Sequence, residues 1–182
     1  MEDKTKLLPA CRFDTDRLRV ESWTAALSDS GGGRNALMAA LAALLTPAVT
    51  QYLPEPLRLA GGPNEIEAWV SARGDESDVF SVRDRKTQAL LGLLILAPSQ
   101  DTAGAVIIRL GFLLAEKAWG QGYATELVKG LVGWCEKQAI TGQLLGGVEP
   151  ENAASAVVLI KAGFTRAADL SFGETDIFRL VL

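Results

Sequence analysis

The chain contains no histidine and only two cysteines among its 182 residues. Without histidine, Ser-His and Cys-His nucleophilic systems are excluded, as are metal sites built on imidazole. The separation of Cys11 and Cys135 matches no zinc-ligand or redox spacing, so each reads as a structural thiol and no metal is expected. Clusters of Lys and Arg are missing too. The net charge is -4, and affinity for a phosphate backbone draws on such clusters, so no nucleic-acid partner is expected. The longest strongly apolar run, Ala36 to Leu45, falls well short of the roughly 20 residues a membrane span needs and reads as a packed helix. The start, MEDKTKLLPACRF, lacks the apolar stretch of about 7 to 15 residues that marks a secretory signal. A cytoplasmic protein with no membrane partner is the expectation.

What is present suits a folded chain. Hydrophobic residues make up 48% and charged residues 22%, which argues against disorder, and the length favours one domain that buries roughly 70% of its unfolded surface. The segment from Thr15 to Trp23 begins with strand-like alternation and passes into a short polar helix or turn. Gly31-Gly32-Gly33 reads as a flexible connector. From Arg34 to Thr46 the leucines at 37, 41, 44 and 45 share a helical face, and Pro47 is expected to stop the helix. Another helix is expected from Pro63 to near Gly74, with proline inside its start and glycine past its end. VFSVRD (79 to 84) and ALLGLLIL (89 to 96), joined by RKTQ, predict an antiparallel hairpin, and a third strand follows from about 105 to 114. A helix then runs to about Gln138, its apolar face carrying Ala124, Leu127, Val128, Leu131, Trp134 and Cys135. Glu126, Lys129, Glu136 and Lys137 fall on the wet face. A strand at 143 to 148, a helix at 150 to 162 and two final strands complete a single mixed α+β domain over residues 1–182.

Strand, then WGQGYAT, then amphipathic helix is an arrangement that builds an anion site. Glycines at 120 and 122 allow positive φ and a close approach of N–H groups to a ligand, and the helix N-terminus adds partial positive charge. An ordinary tight turn reads the same pair of glycines equally well. The rival phosphate motifs fail. A dinucleotide fingerprint needs glycine where Thr125 stands and a carboxylate near Gly142, and a Walker loop needs a Gly-Lys-Ser/Thr ending.

The stretch GFLLAEKAWGQGYATELVKGL resembles motif A of the GNAT acetyltransferase superfamily, in the WGxGYATE form of its ribosomal-protein N-terminal acetyltransferase, RimJ/RimL-like, branch. TDRLRV near the start, Asn152-x-x-Ser155 and KAGF at 161 to 164 extend the likeness in the same order along the chain. The resemblance implies an α+β fold with a mixed, mostly antiparallel central sheet flanked by helices on both faces. It also implies acetyl-CoA as co-substrate and a primary amine, either a protein N-terminus or a small amine, as acceptor. The backbone of Phe112, Leu113 and Leu114 would pair with the pantetheine arm. Trp119, Gly120, Gln121, Gly122, Tyr123, Ala124 and Thr125 would form the pyrophosphate loop, and Asn152 would face the pantetheine. A monomer or a homodimer is expected.

Acetyl transfer needs a neutral amine, a donor for the oxyanion and a proton for the departing thiolate. A backbone N–H near Leu114 can serve the oxyanion. Many relatives carry a glutamate where this chain aligns Arg109, and a guanidinium cannot take up a proton. Glu149 is the substitute candidate for a base, with a solvated turn carboxylate as the plainer reading. The superfamily often places a tyrosine where Leu159 stands. Ser155, one helical turn earlier on the same face, is the candidate proton donor, against a plainer role as a small helix residue. An α-amine of pKa near 8 is roughly 10% neutral at pH 7, against about 0.04% for lysine, so a site without a strong base suits the α-amine. The different class of reading is a non-catalytic acyl-CoA-binding or sensing domain, which Arg109 and the absence of histidine keep open.

Overall fold

The computed structural model describes residue 8 and residues 10–59, 61–62 and 64–182. Two short strands, β1 (Phe13–Asp14) and β2 (Leu18–Ser22), lead into helices α1 (Thr24–Leu27), α2 (Gly33–Leu44), α3 (Pro47–Thr50) and α4 (Glu65–Glu76). Strands β3 (Asp78–Asp84), β4 (Leu90–Gln100) and β5 (Val106–Leu114) follow, then α5 (Tyr123–Lys137), β6 (Gly142–Val148), α6 (Ala153–Lys161), β7 (Thr165–Arg166) and β8 (Asp176–Val181). The strands form one eight-stranded sheet in the order β1-β2-β3-β4-β5-β6-β8-β7. Only β5 and β6 run parallel, because α5 joins them by a crossover, whereas the other neighbours pair antiparallel.

Alternation along the central strands sends side chains to two cores. Leu93 and Ile95 of β4 and Leu113 of β5 pack with Leu37, Leu41, Leu44 and Trp69 beneath α1 to α4. Leu94, Leu96, Ile108 and Leu110 pack with Leu127, Leu131 and Leu159 beneath α5 and α6. A continuous apolar run such as LLGLLILA is what a strand covered on both faces requires. On α5 the expected stripe is buried at Leu127, Val128, Leu131, Trp134 and Cys135, each large side chain contributing about 1.5–3 kcal/mol by leaving water. The sheet with helices on both faces is the expected one.

Several local expectations are corrected. Helix α2 ends at Leu44, and Pro47, instead of merely stopping it, opens α3 behind an N-cap Thr46 whose side chain accepts from the Val49 N–H. Proline suits that first position because its missing N–H would have no helical partner. Helix α4 runs through Gly74 to Glu76, and the expected start at Pro63 lies outside the described residues. The Gly31–Gly33 connector is pinned, since the Asp29 carboxylate accepts from the N–H groups of Gly31 at 2.8 Å and Gly33 at 2.9 Å. Among the described residues no helix is long and apolar enough to cross a membrane.

Candidate functional site

The site begins where two neighbouring strands part. Parallel pairing of β5 with β6 runs from Val106↔Gly142 to Leu110↔Gly146 and stops. Beyond it β5 stays with β4 as far as Leu114↔Gly92, while β6 stays with β8 as far as Val148↔Asp176. Residues 111–114 and 147–148 therefore flank a wedge-shaped gap in the middle of the sheet. The N–H of Ala115 bonds the Leu91 carbonyl at 2.8 Å, so strand alternation turns the backbone groups of Phe112 and Leu114 away from β4, toward the gap. The Leu114 carbonyl accepts from the Trp119 indole N–H at 2.7 Å. Left facing the gap are the Leu114 N–H and both polar groups of Phe112.

At the mouth of the gap the chain turns through a 3-10 turn (Glu116–Ala118) into the glycine loop. Gly120 has φ +70° and Gly122 φ +79°, the left-handed region that glycine enters without strain. Gly122 caps α5 with no side chain, and Glu126 is the first residue to bond back, to the Gly122 carbonyl at 3.0 Å. The amides of Tyr123, Ala124 and Thr125 thus have no helical partner, and with the helix dipole they make a cradle for an anion. A Cβ at Gly122 would meet only the Arg17 Nη2, at 3.6 Å, so within the chain itself the constraint is backbone conformation rather than space.

A second chain segment holds this loop. Arg17 donates Nε–H to Glu126 at 2.6 Å and an Nη1–H to the Gln121 carbonyl at 3.0 Å, and its guanidinium lies 4.1 Å from the centre of the Tyr123 ring. Glu126 also accepts from the Thr15 hydroxyl at 2.5 Å and the Arg17 N–H at 2.8 Å. Burial works to raise the Glu126 pKa, yet the hydrogen bonds from Thr15 and Arg17, with the arginine charge, bring it below the usual carboxylate value. Glu126 is therefore not the wet-face residue that helical spacing suggested. The overlooked signal was Gly130, a mid-helix glycine that costs about 1 kcal/mol against alanine and so asks for a packing reason. A Cβ there would lie 2.6 Å from the Thr15 Cγ2 and 2.8 Å from the Phe13 ring. Beside the loop, between β1 and α5, runs an open groove of about 860 Å³ bordered by Arg12, Phe13, Lys129, Lys137 and Lys161.

The other candidates come from α6 and its approach. Asn152 caps α6, its side-chain oxygen accepting from the Ser155 N–H at 3.2 Å, which leaves its NH₂ group for a ligand. Helix α6 runs back along β6, and Leu159 packs onto Gly146, where a Cβ would come within 2.8 Å of it. Ser155, one turn nearer the α6 start, is half-buried, and its hydroxyl makes no hydrogen bond among the described residues. Glu149 accepts from the Thr175 hydroxyl at 2.8 Å, which holds it toward β8. Arg109 is exposed and donates to the Ser99 hydroxyl at 3.2 Å, so β5 offers no base. On the opposite side, Glu116 accepts from the Thr46 hydroxyl at 2.7 Å, tying the start of α3 to the end of β5. The nearby 53–58 segment is pinned by Arg58 to the Leu53 carbonyl and by the Trp69 indole to the Leu57 carbonyl. Among the described residues no group of three or more His, Cys, Asp or Glu could hold a metal ion.

The parallel strand pair thus opens beside a loop of amides that have no helical partner. A family profile described as acetyltransferase (GNAT) domain matches residues 34–165, and the chain belongs to that family of acyl-CoA-dependent N-acetyltransferases. YkkB, an uncharacterized protein of Bacillus subtilis, is 25% identical over 91 residues, 50% of this chain and 52% of its own length. The chain thus aligns with about half of that curated relative. A GNAT-family acetyltransferase from Bacillus anthracis superposes with a TM-score of 0.69 at 15% identity, over 94% of this chain and 98% of that one. RimL, a ribosomal L7/L12 alpha-N-protein acetyltransferase solved with coenzyme A, superposes with a TM-score of 0.66 at 12% identity, over 96% of this chain and 97% of its own.

Proposed function

We propose that the chain, as a single domain, moves the acetyl group of acetyl-CoA directly to a primary amine, with a protein N-terminal α-amine as the favoured acceptor. The observation that carries this reading is the gap between β5 and β6 opening onto the loop with free amides. Unpaired backbone groups of Phe112 and Leu114 fit an extended amide-bearing arm, and the amides of residues 120–125 fit a pyrophosphate. The Asn152 NH₂ is free to donate to the same arm. Acetyl-CoA supplies the activated thioester. The chain supplies the rest: the Leu114 N–H for the oxyanion and Ser155 as proton donor to the departing sulfur.

No strong base stands on β5, so the amine must arrive neutral. The rate is expected to rise with pH until the acceptor's own pKa is passed. Glu149→Gln is expected to cost less than about tenfold, since its carboxylate is already bound by Thr175, whereas an essential positioned base contributes about 10² to 10⁴-fold. A thousandfold loss in a folded Glu149→Gln protein would make Glu149 the base. Ser155→Ala is expected to lower kcat by roughly 10- to 100-fold with little change in acetyl-CoA affinity, because a hydroxyl of normal pKa is a weak acid. Loss of affinity without loss of kcat would make Ser155 a binding residue. Thiol release from acetyl-CoA, measured with peptide N-termini and polyamines as acceptors, tests the whole reading. Coenzyme A binding without acceptor-dependent release would favour the sensing domain instead.

A further inference from the structure

We propose that Arg17 is the positioning residue that fixes the pyrophosphate loop in its anion-binding form. The inference rests on the acetyl-CoA reading above. Its core is the Gln121–Gly122 peptide, whose orientation is set by ψ of Gln121 and by φ of Gly122, which stands at +79°. Glycine takes either sign of φ at similar energy, so this peptide has two accessible orientations, one the flip of the other. Arg17 selects between them by donating to the Gln121 carbonyl at 3.0 Å. Because a trans peptide is planar, its N–H points opposite its carbonyl. Holding the carbonyl against Arg17 therefore aims the Gly122 N–H away from Arg17, to the open side of the loop.

Arg17 can act as a fixed post because it is itself anchored. Its N–H bonds Glu126 at 2.8 Å, its carbonyl accepts from the Arg85 N–H at 2.9 Å, and its Nε–H bonds Glu126 at 2.6 Å. Thr15 completes the frame, donating to Glu126 while accepting the Leu18 N–H at 3.0 Å. The frame sits on α5 because Gly130 lets Thr15 and Phe13 approach the helix. The Arg17–Glu126 pair is close to neutral as a whole, so its effect on an anion is mainly one of shape. Salt should therefore change it little, unlike a bare cation contacting phosphate.

The experiment compares acetyl-CoA with S-acetylpantetheine, which keeps the thioester and arm but lacks the pyrophosphate. In Arg17→Gln, KM for acetyl-CoA is expected to rise about tenfold, the effect falling on KM rather than kcat, while kcat/KM for S-acetylpantetheine stays within about twofold of the parent. Arg17→Lys keeps the charge but not the planar fork, and is expected to recover little of the loss. If Arg17→Gln fails to fold, Glu126→Gln loosens the same guanidinium and carries the same expectation. Equal losses with both thioesters, or no loss with either, would overturn the positioning role. Full rescue by Lys would replace it with a simple charge effect. If the parent protein itself neither binds coenzyme A nor consumes acetyl-CoA, the acetyl-CoA reading falls, and this proposal with it.

Discussion

Replacing Gly122 by valine is expected to weaken coenzyme A binding at least about a hundredfold, equivalent to about 2.8 kcal/mol, while leaving the melting temperature nearly unchanged. The residue sits at φ +79°, where a β-branched side chain is a steric outlier. The loop of the variant would relax to negative φ, turning the amides at the start of α5 away from the anion. The fold tolerates this because nothing but the tip of Arg17 stands near that position. Gly122→Asn is the informative control, since asparagine enters the left-handed region far more readily than valine and should retain more of the affinity. Calorimetry on folded variants gives the answer. Unchanged affinity in Gly122→Val would remove the pyrophosphate from this loop.

Thiol reagents are expected to find neither cysteine in the folded protein and both after denaturation. Cys11 and Cys135 are buried and unpaired. Burial is the main cause that pushes the Cys11 thiol up to about 12, with Cys135 and Asp78 adding to it, and burial likewise pushes Cys135 up to about 11. At pH 8 these shifts alone cut the reactive thiolate roughly a thousandfold and a hundredfold, relative to a thiol of pKa near 9. Counting thiols with and without guanidinium checks this. Rapid labelling of the native chain would mean that the core around α5 opens readily. The result also bears on mechanism, because thiols that stay protonated in the core are poor relay nucleophiles, which favours direct transfer to the amine. It makes the thiol-release assay clean as well, since the only thiol to appear would be that of coenzyme A.

The elements that carry the site were legible where local pattern decides them. The period of Leu127, Val128, Leu131, Trp134 and Cys135 placed α5, and two glycines before it placed the loop. The β3–β4 hairpin followed from two apolar runs joined by a polar turn. Two features escaped for a shared reason, which is that each depends on chain segments far apart. The gap between β5 and β6 depends on where two strands joined by a crossover helix stop pairing, which no window of residues reports. Glu126 was assigned to solvent because helical spacing tells which side chains face the core, not what is laid over the opposite face. There Thr15 and Arg17, some 110 positions earlier, cover it. The α2 helix does stop before Pro47, but Pro47 also starts the next one, which follows from the Thr46 cap rather than from the proline alone. Of the candidate site residues around α6, Asn152 and Ser155 stand together at its start, whereas Glu149 is held by Thr175.

The parting of β5 from β6 has a consequence for solubility. It gives the sheet an inner edge, a short row of unsatisfied strand groups of the kind that recruits foreign chains and seeds aggregates. The row is kept short. Pairing holds up to Leu110↔Gly146 on one side, and on the other the Trp119 indole occupies the carbonyl of Leu114. Among the described residues of this edge, Phe112 alone is left with both its donor and its acceptor open, too little for an intruding strand to gain a register. A tryptophan that reads in the sequence as part of a binding loop thus also acts as the stopper on an exposed strand edge.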